Sequence, residues 1–139
     1  MDLSYAIMPF FAWLCAGSLK FLINSLKARR LAFDLIGYGG MPSTHSAIVS
    51  SMAALVALKE GIQHPAFGIA LTLAIIIMVD ANGLRRQVGR HAAAINKLGA
   101  QTPSHTPLRE RMGHSRAEIL AGITVGALCA YLVHLVTIG

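Results

Sequence analysis

The chain has 139 residues, of which 55% are hydrophobic and 13% charged, and its formal net charge is +6. Its mean hydropathy of +0.59, with far fewer charges than the roughly 25% of soluble domains, argues against a soluble all-helical protein. It predicts one all-α, integral membrane domain over residues 1–139. The basic residues flank apolar segments, which favours a membrane surface or an anionic lipid as partner over nucleic acid.

The first apolar segment covers residues 5–26 and is long enough to cross a hydrocarbon core of roughly 30 Å as a helix. It lacks the basic start and the small-residue exit of a signal peptide, so we expect it to be retained. Lys20 interrupts the segment. A lysine here either snorkels to the near interface or faces a polar cavity, where it would lie close to the basic residues 27–30.

A short polar stretch, GGMPSTHS, follows at residues 39–46. Its glycines and its capping hydroxyls at Ser43 or Thr44 predict a loop that enters a helix, with Pro42 in the first turn. Free N–H groups and the helix dipole make such a helix N-terminus an anion-binding site. His45 would lie beside that anion and donate a proton or a hydrogen bond. The alternative is an ordinary capped helix with a polar surface histidine.

The remaining elements are also helical. Residues 44–58 form a helix that is short for a full span, and its serines require one face to pack against protein. Residues 65–79 form the third span, residues 84–98 an amphipathic interfacial helix, and residues 117–138 a fourth span with small residues spaced for close packing. Residues 99–113 have no hydrophobic period and would form a loop, with a mobile lid as one reading.

The distribution of charge predicts the orientation of these four spans. The first and third connections carry nine basic residues and the second carries one: Lys27, Arg29, Arg30, Arg85, Arg86, Arg90, Lys97, Arg109 and Arg111 against Lys59. The positive-inside rule makes the basic side cytoplasmic and both termini external. The simplest expectation for most of these arginines is that they lie on a solvated face.

Four short spans bury little apolar surface on their own, which favours a homo-oligomer.

Residues 113–118, with the sequence GHSRAE, are the second candidate for chemistry. If a helix begins near Ser115, His114 stands at its start and Glu118 lies one turn along the same face. A carboxylate in that position fixes the tautomer of an imidazole and stabilises its cation, as a nucleophile or a base requires. The alternative is a capping histidine followed by an ordinary first-turn glutamate.

Two histidines at two helix starts on one membrane face, surrounded by Arg and Lys, suit phosphoryl transfer. Guanidinium groups and amides would hold the phosphate oxygens, one imidazole would attack, and the other would protonate the leaving oxygen. The sequence lacks thiolate pairs, an HExxH pattern and carboxylate clusters. We therefore expect a mechanism without a metal or another cofactor.

These motifs resemble those of a known superfamily. Pro-Ser-Thr-His at residues 42–45 is similar to the Pro-Ser-Gly-His motif of the type 2 phosphatidic acid phosphatase and vanadium haloperoxidase superfamily. His114-x3-Glu118 resembles its His-x3-Asp motif. Together with the sequence DANGLRR at residues 80–86, these motifs are similar to a short, divergent bacterial branch of that superfamily over nearly the whole chain.

The resemblance implies a role for each matching position. His45 would be the general acid for the leaving group, His114 the nucleophile that forms a phosphohistidine, and Glu118 the carboxylate that orients it. The phosphate oxygens would be bound by Lys20, Arg30, Ser43, the amides around Thr44, Arg85 and Arg86.

The sequence also departs from the superfamily pattern. The first motif of the superfamily is a lysine followed, after six residues, by Arg-Pro. In this sequence the position after that interval from Lys20 is Lys27, and no proline follows Arg30. Arg109 and Arg111 lie in other registers than the arginine of its third motif, and four spans replace the usual six. The resemblance therefore leaves open which arginines bind phosphate.

Three functions are open at the level of the sequence. The first is a multi-pass phosphatase of the bacterial inner membrane that hydrolyses a lipid phosphomonoester or diphosphate on the cytoplasmic side. The second is a non-catalytic protein that binds or transports anionic lipid with the same basic pocket. The third is a structural protein whose motifs only cap helices. Asp80 would either serve catalysis or pair with Arg85 or Arg86.

Overall fold

The computed structural model describes residues 3–31, 33, 40–102 and 104–138; Gly39 of the predicted octet lies outside them. The described residues form five helices: α1 (Ser4–Ala28), α2 (Thr44–Lys59), α3 (Pro65–Asn82), α4 (Leu84–Gly99) and α5 (Arg116–Ile138). The predicted all-helical fold is confirmed, and each predicted boundary agrees to within three residues.

The apolar helices identify a membrane protein. α1, the segment formed by α3 and α4, and α5 are long and apolar enough to cross a membrane. α2 is apolar but has 16 residues, about 24 Å at 1.5 Å per residue, which is less than a hydrocarbon core of roughly 30 Å. Large apolar side chains such as Trp13, Ile69 and Leu132 point away from the protein, where lipid would cover them.

The short helix α2 is the centre of the bundle, because α1, α3 and α5 all pack against it. Half of its 16 residues are buried, which confirms that a face of this helix packs against protein. Its buried serines satisfy their hydroxyls within the helix: Ser50 Oγ donates to the Ser46 carbonyl at 2.6 Å, and Ser51 Oγ donates to the Ile48 carbonyl at 2.8 Å. Small side chains paired in this way keep α2 narrow, so three helices can surround it.

Two glycines of α5 allow its backbone to approach α2 closely. A Cβ at Gly122 would overlap the carbonyl oxygen of Ser43, and one at Gly126 would overlap the Ser50 hydroxyl and the Ala47 carbonyl oxygen. The predicted stripe of small residues on α5 is therefore a helix-packing surface, and its most buried members are Gly122, Gly126 and Ala130. This contact fixes the relative height of the two helices.

Polar contacts tie the start of α1 to the end of α2. The Tyr5 hydroxyl donates to Glu60 Oε1 at 2.5 Å, and the Lys59 ammonium donates to the Ser4 hydroxyl at 2.9 Å. The same ammonium lies 5.6 Å from the centroid of the Tyr5 ring. These contacts fix one end of the bundle, so the N-termini of α2 and α5 both lie at the other end.

α4 is amphipathic and has three distinct faces. The apolar face is exposed and consists of Leu84, Val88, Ile95 and Leu98. The loop face is covered by residues 105–113 and consists of Gly89, Ala92, Asn96 and Gly99. The basic face is exposed and carries Arg86, Arg90 and Lys97. Ala92, which lies on the loop face between Gly89 and Asn96, is buried.

Asn96 holds the loop after α4 against the loop face. Its amide nitrogen donates to the Leu108 carbonyl and to Glu110 Oε1, both at 2.8 Å. Its oxygen accepts from the Leu108 N–H at 2.7 Å and contacts His105 Nε2 at 3.1 Å. The loop is thus docked along α4 by one side chain, an arrangement that the sequence did not predict.

We predict that Gly126→Ala destabilises the bundle, because the added methyl group overlaps the backbone of α2. Forcing extra atoms into a packed contact costs about 1–3 kcal/mol, which exceeds the gain of about 1 kcal/mol in helix propensity. Unfolding of the purified protein in detergent, followed by circular dichroism, measures the change.

The matched control is Gly17→Ala in α1, where the described residues contain no atom within 4 Å of an added Cβ. This variant should be as stable as the wild type or more stable. Equal stability of the two variants would contradict the role of Gly126 in helix packing.

Candidate active site

Ser43 caps the N-terminus of α2. Its hydroxyl accepts from the Ser46 N–H at 3.3 Å and from the Ser46 hydroxyl at 2.9 Å, and its side chain is completely buried. The predicted capping role of Ser43 is confirmed. Its hydroxyl, which was also expected to bind phosphate, is engaged in the cap. Pro42 was expected in the first helical turn and instead precedes the cap residue, because α2 begins at Thr44.

Thr44 and His45 are the first two residues of α2. The first N–H groups of a helix have no acceptor within it, so this turn offers backbone donors and the positive end of the helix dipole. Thr44 is half-buried and the His45 side chain is exposed. The expected anion-binding site therefore has an accessible imidazole beside it.

A reciprocal cap starts α5. The Ser115 hydroxyl accepts from the Glu118 N–H at 3.2 Å, and Glu118 Oε2 accepts from the Ser115 N–H at 2.8 Å. This is a capping box, in which serine and glutamate satisfy each other's free N–H groups. His114 precedes the box, and its own N–H donates to the Ala81 carbonyl at 2.9 Å. Its backbone is therefore held by the cap on one side and by the end of α3 on the other.

The His114 imidazole contacts the carboxylate that closes this cap. Its Nδ1 lies 3.3 Å from Glu118 Oε2, and the residue is only 7% exposed. If Nδ1 donates to the carboxylate, Nε2 keeps its lone pair, which is the tautomer required of a nucleophile. The expected pairing of His114 with Glu118 is present in the structure.

The two histidines face each other across a short gap. The ring centroids of His45 and His114 are 6.3 Å apart, with an interplanar angle of 54°. The Ser43 N–H donates to the Glu118 carbonyl at 2.9 Å and so joins the two helix starts directly. This centroid distance is about twice the approach of about 3–3.5 Å between reacting atoms.

Two cations complete the surroundings of the histidine pair. Lys20 of α1 and Arg85 of α4 both lie within electrostatic reach of His45 and of His114. Lys20 also interacts with Glu118, so it faces the site and not only the membrane interface. Of the two alternatives for Lys20, a position in a polar cavity agrees with these interactions.

Arg85 and Arg86 have different surroundings although they are adjacent in the sequence. Arg85 Nε donates to Asp80 Oδ2 at 2.9 Å, so Asp80 pairs with Arg85. The aliphatic part of Arg86 packs beside Gly113, which has a positive φ of 82° and so adopts a conformation that favours glycine. Arg30 follows the end of α1 and is exposed, ten residues beyond Lys20.

The surroundings of His114 favour its neutral form. Burial lowers the pKa of its imidazole below the ordinary value of 6.5 and Lys20 lowers it further, whereas the hydrogen bond and the charge of Glu118 raise it. The net shift is downward. The imidazole is therefore neutral, and able to attack an electrophile, from neutral pH to below pH 6.5.

Sequence reasoning identified the two histidines, Glu118 and Lys20, but it left the role of Asp80 open and missed Asn96 and the cap residue Ser115. The spacing Ser-x-x-Glu at residues 115–118 is typical of a capping box, and this signal could have identified Ser115. Across residues 3–31, 33, 40–102 and 104–138, no group of three His, Cys, Asp or Glu side chains is arranged to hold a metal ion.

Comparison with known proteins identifies the family of the chain. The profile of the divergent PAP2 family matches residues 2–129. The chain belongs to the divergent PAP2 family. A curated relative, the uncharacterized membrane protein YuiD of Bacillus subtilis (strain 168), is 33% identical over 79% of this chain and 80% of its own length. No solved structure gives a significant match.

The region matched by the divergent PAP2 family includes the residues of the candidate site. The profile covers both helix starts that carry His45 and His114, together with the segment that carries Asp80 and Arg85. It also points to phosphatase-related chemistry in a membrane protein. The resemblance noted in the sequence motifs is thereby confirmed at the level of the family.

We predict that Glu118→Gln lowers the pKa of His114 further, because the carboxylate charge that raises it is removed. Glutamine preserves the capping box, so α5 should keep its start. A titration of the imidazole signals by NMR measures both values, and the wild-type pKa should lie below 6.5.

Glu60→Gln is the matched control, because this glutamate lies at the opposite end of the bundle, beside Tyr5. It should leave the pKa of His114 unchanged. An unchanged or raised pKa in the Glu118 variant would show that the carboxylate does not act on the imidazole.

Proposed function

We propose that this protein is a membrane phosphatase that hydrolyses a phosphomonoester or diphosphate group of a lipid through a phosphohistidine intermediate. The observation that carries the proposal is the pair of imidazoles 6.3 Å apart. One of them is buried and contacts a carboxylate, whereas the other is exposed. The buried imidazole beside the carboxylate would act as the neutral nucleophile. The exposed one, whose protonation Arg85 and Lys20 oppose, would become the acid when a negatively charged phosphate lies beside it.

Binding of the phosphate group would use the cations and amides around the histidine pair. Lys20 and Arg85 are within electrostatic reach of both imidazoles, and the first-turn amides of α2, at Thr44 and His45, supply neutral donors. Arg30 and Arg86 are candidates for a second group of the substrate, such as the other phosphate of a diphosphate. Ser43 would act by fixing the helix cap.

The first chemical step forms the intermediate. Nε2 of His114 attacks phosphorus, and the bond from phosphorus to the lipid oxygen breaks. An N–H of the His45 imidazolium gives its proton to that oxygen, so the lipid leaves as a neutral alcohol or a lipid phosphate. Glu118 stabilises the positive charge that develops on His114, while Arg85 and Lys20 stabilise the equatorial oxygens.

The second step releases phosphate. His45, now neutral, accepts a proton from water, whose oxygen attacks phosphorus as the bond to His114 breaks. Inorganic phosphate leaves and both imidazoles return to their starting states. The exposure of His45 supports this step, because water can reach it from the bundle end.

The position of the site supports a lipid substrate. Lys20 lies within the apolar helix α1, whereas Arg85 belongs to the amphipathic helix α4. The phosphate would therefore lie at the boundary between apolar and polar surroundings, where lipid head groups lie. The excess of basic residues at this end supports a cytoplasmic site in the inner membrane of a bacterium.

We predict that the purified protein releases phosphate from detergent-solubilised lipids in the presence of EDTA, and that His114→Asn lowers turnover roughly a thousandfold or more, because the nucleophile is removed. The lipids tested in this assay are phosphatidic acid, phosphatidylglycerophosphate and a polyprenyl diphosphate. Circular dichroism establishes that both proteins are folded.

Phosphate release from none of these lipids, in folded wild-type protein, would reject the enzyme and favour a binder or transporter of anionic lipid. Equal release by the two proteins would reject His114 as the nucleophile.

We predict that His45→Ala slows hydrolysis of a lipid phosphate about 100- to 10,000-fold, since a general acid contributes a factor of this size. Hydrolysis of p-nitrophenyl phosphate should fall much less, because its leaving group departs without protonation. The ratio of the two kcat/KM values, measured on the same preparation, tests the assignment. Equal losses on both substrates would indicate a binding role for His45.

A further inference from the structure

Asp80 and Arg85 are joined across the break between α3 and α4. Gly83 separates the two helices, with backbone angles φ −92° and ψ −83° outside the helical region. The Gly83 N–H still donates to the Val79 carbonyl at 2.8 Å, so the break is compact. The 2.9 Å hydrogen bond from Arg85 Nε to Asp80 Oδ2 spans this break and connects the end of one helix to the start of the next.

The atoms used in this contact leave most of the guanidinium group for another partner. Asp80 is engaged by Nε, whereas an arginine offers four more N–H donors on its two terminal nitrogens. Those nitrogens form the edge of the guanidinium that binds two phosphate oxygens side by side. An Nε contact to a carboxylate therefore fixes the plane of the group and keeps its binding edge available.

Arg85 is placed so that its terminal nitrogens could bind a group between the two histidines. Arg85 lies within electrostatic reach of both His45 and His114, whose rings are 6.3 Å apart. A phosphoryl group between the two rings would therefore lie within reach of the same positive charge. Arg86 is the next residue, but the helix turns it by about 100° and it packs beside Gly113.

We propose that Asp80 is a positioning residue, which holds Arg85 so that its terminal nitrogens bind the phosphoryl group between the two histidines. The inference rests on the proposed function only for the identity of the ligand as a phosphate. It assigns Arg85, out of the several candidate arginines, as the phosphate ligand whose orientation is fixed, and it gives Asp80 a role through Arg85 alone.

A direct role for Asp80 is the competing explanation, because its charge also acts on His45. An acidic residue next to the general acid would change catalysis whether or not Arg85 were present. The two explanations differ in additivity: residues that act as a unit give non-additive losses, whereas independent residues multiply their effects.

The test is a double-mutant cycle with Asp80→Ala, Arg85→Ala and the double variant in the full-length protein. Each is measured for kcat and KM on phosphatidic acid and, separately, for the dissociation constant of inorganic phosphate by NMR titration. We expect Asp80→Ala to weaken kcat/KM and phosphate binding about 10- to 100-fold, the range for a hydrogen bond to a charged group. The double variant should be no weaker than Arg85→Ala.

Losses that multiply in the double variant would overturn the proposal, since Asp80 would then act without Arg85. Absence of phosphate binding by the wild type would also overturn it. Coupled losses in phosphate binding, in a protein that hydrolyses no lipid, would uphold the positioning role while rejecting the phosphatase. The two proposals can therefore fail separately.

Three controls separate positioning from a structural effect. Asp80→Asn keeps an oxygen that can accept from Arg85 Nε, so it should recover most of the activity lost in Asp80→Ala if orientation is what matters. Glu60→Gln removes a charge at the far end of the bundle and should leave phosphate binding unchanged. Thermal unfolding midpoints of Asp80→Asn and Asp80→Ala should agree, whereas their phosphate affinities should differ.

Discussion

The close approach of α2 and α5 is the constraint on which the site depends. Gly122 and Gly126 place no side chain of α5 between the two helices, so the backbone of α5 lies directly against α2. The N–H of Ser43 donates to the carbonyl of Glu118. The two helix starts are therefore at the same height. His45 follows the Ser43 cap by two residues, and His114 precedes the Ser115 cap by one. Their ring centroids can lie 6.3 Å apart only if that height is fixed.

The groups that start the helices are also the groups that arrange the chemistry. Glu118 Oε2 accepts from the Ser115 backbone and contacts His114 Nδ1, so one oxygen atom begins α5 and orients the imidazole. On α2, the Ser43 hydroxyl turns inward to close the cap, which leaves the first-turn amides beside His45. Helix capping is a local interaction, and in this fold it supplies the preorganisation that the proposed phosphoryl transfer would require.

Much of this arrangement could be predicted from the sequence because it depends on local patterns. Helix bounds follow from apolar periodicity, and the pairing of His114 with Glu118 follows from the spacing of one helical turn. The inward direction of the Ser43 hydroxyl and the choice of Arg85 over Arg86 were not predictable in this way. The second depends on the backbone at Gly83, whose φ of −92° and ψ of −83° lie outside the helical region, so the directions of Arg85 and Arg86 do not follow from the period of α3. Docking of the loop by Asn96 depends on contacts 9 to 14 residues apart, which no periodic pattern encodes.

The three faces of α4 make this helix unusually sensitive to register. Its apolar face meets the lipid, its loop face holds the segment that leads to His114, and its basic face meets water. A single residue inserted near Gly89 would rotate everything after it by about 100°, so that Asn96 would leave the loop while Leu98 left the membrane. Insertions and deletions in α4 would therefore be tolerated only in multiples that restore the helical turn, although the helix itself lies at the protein surface.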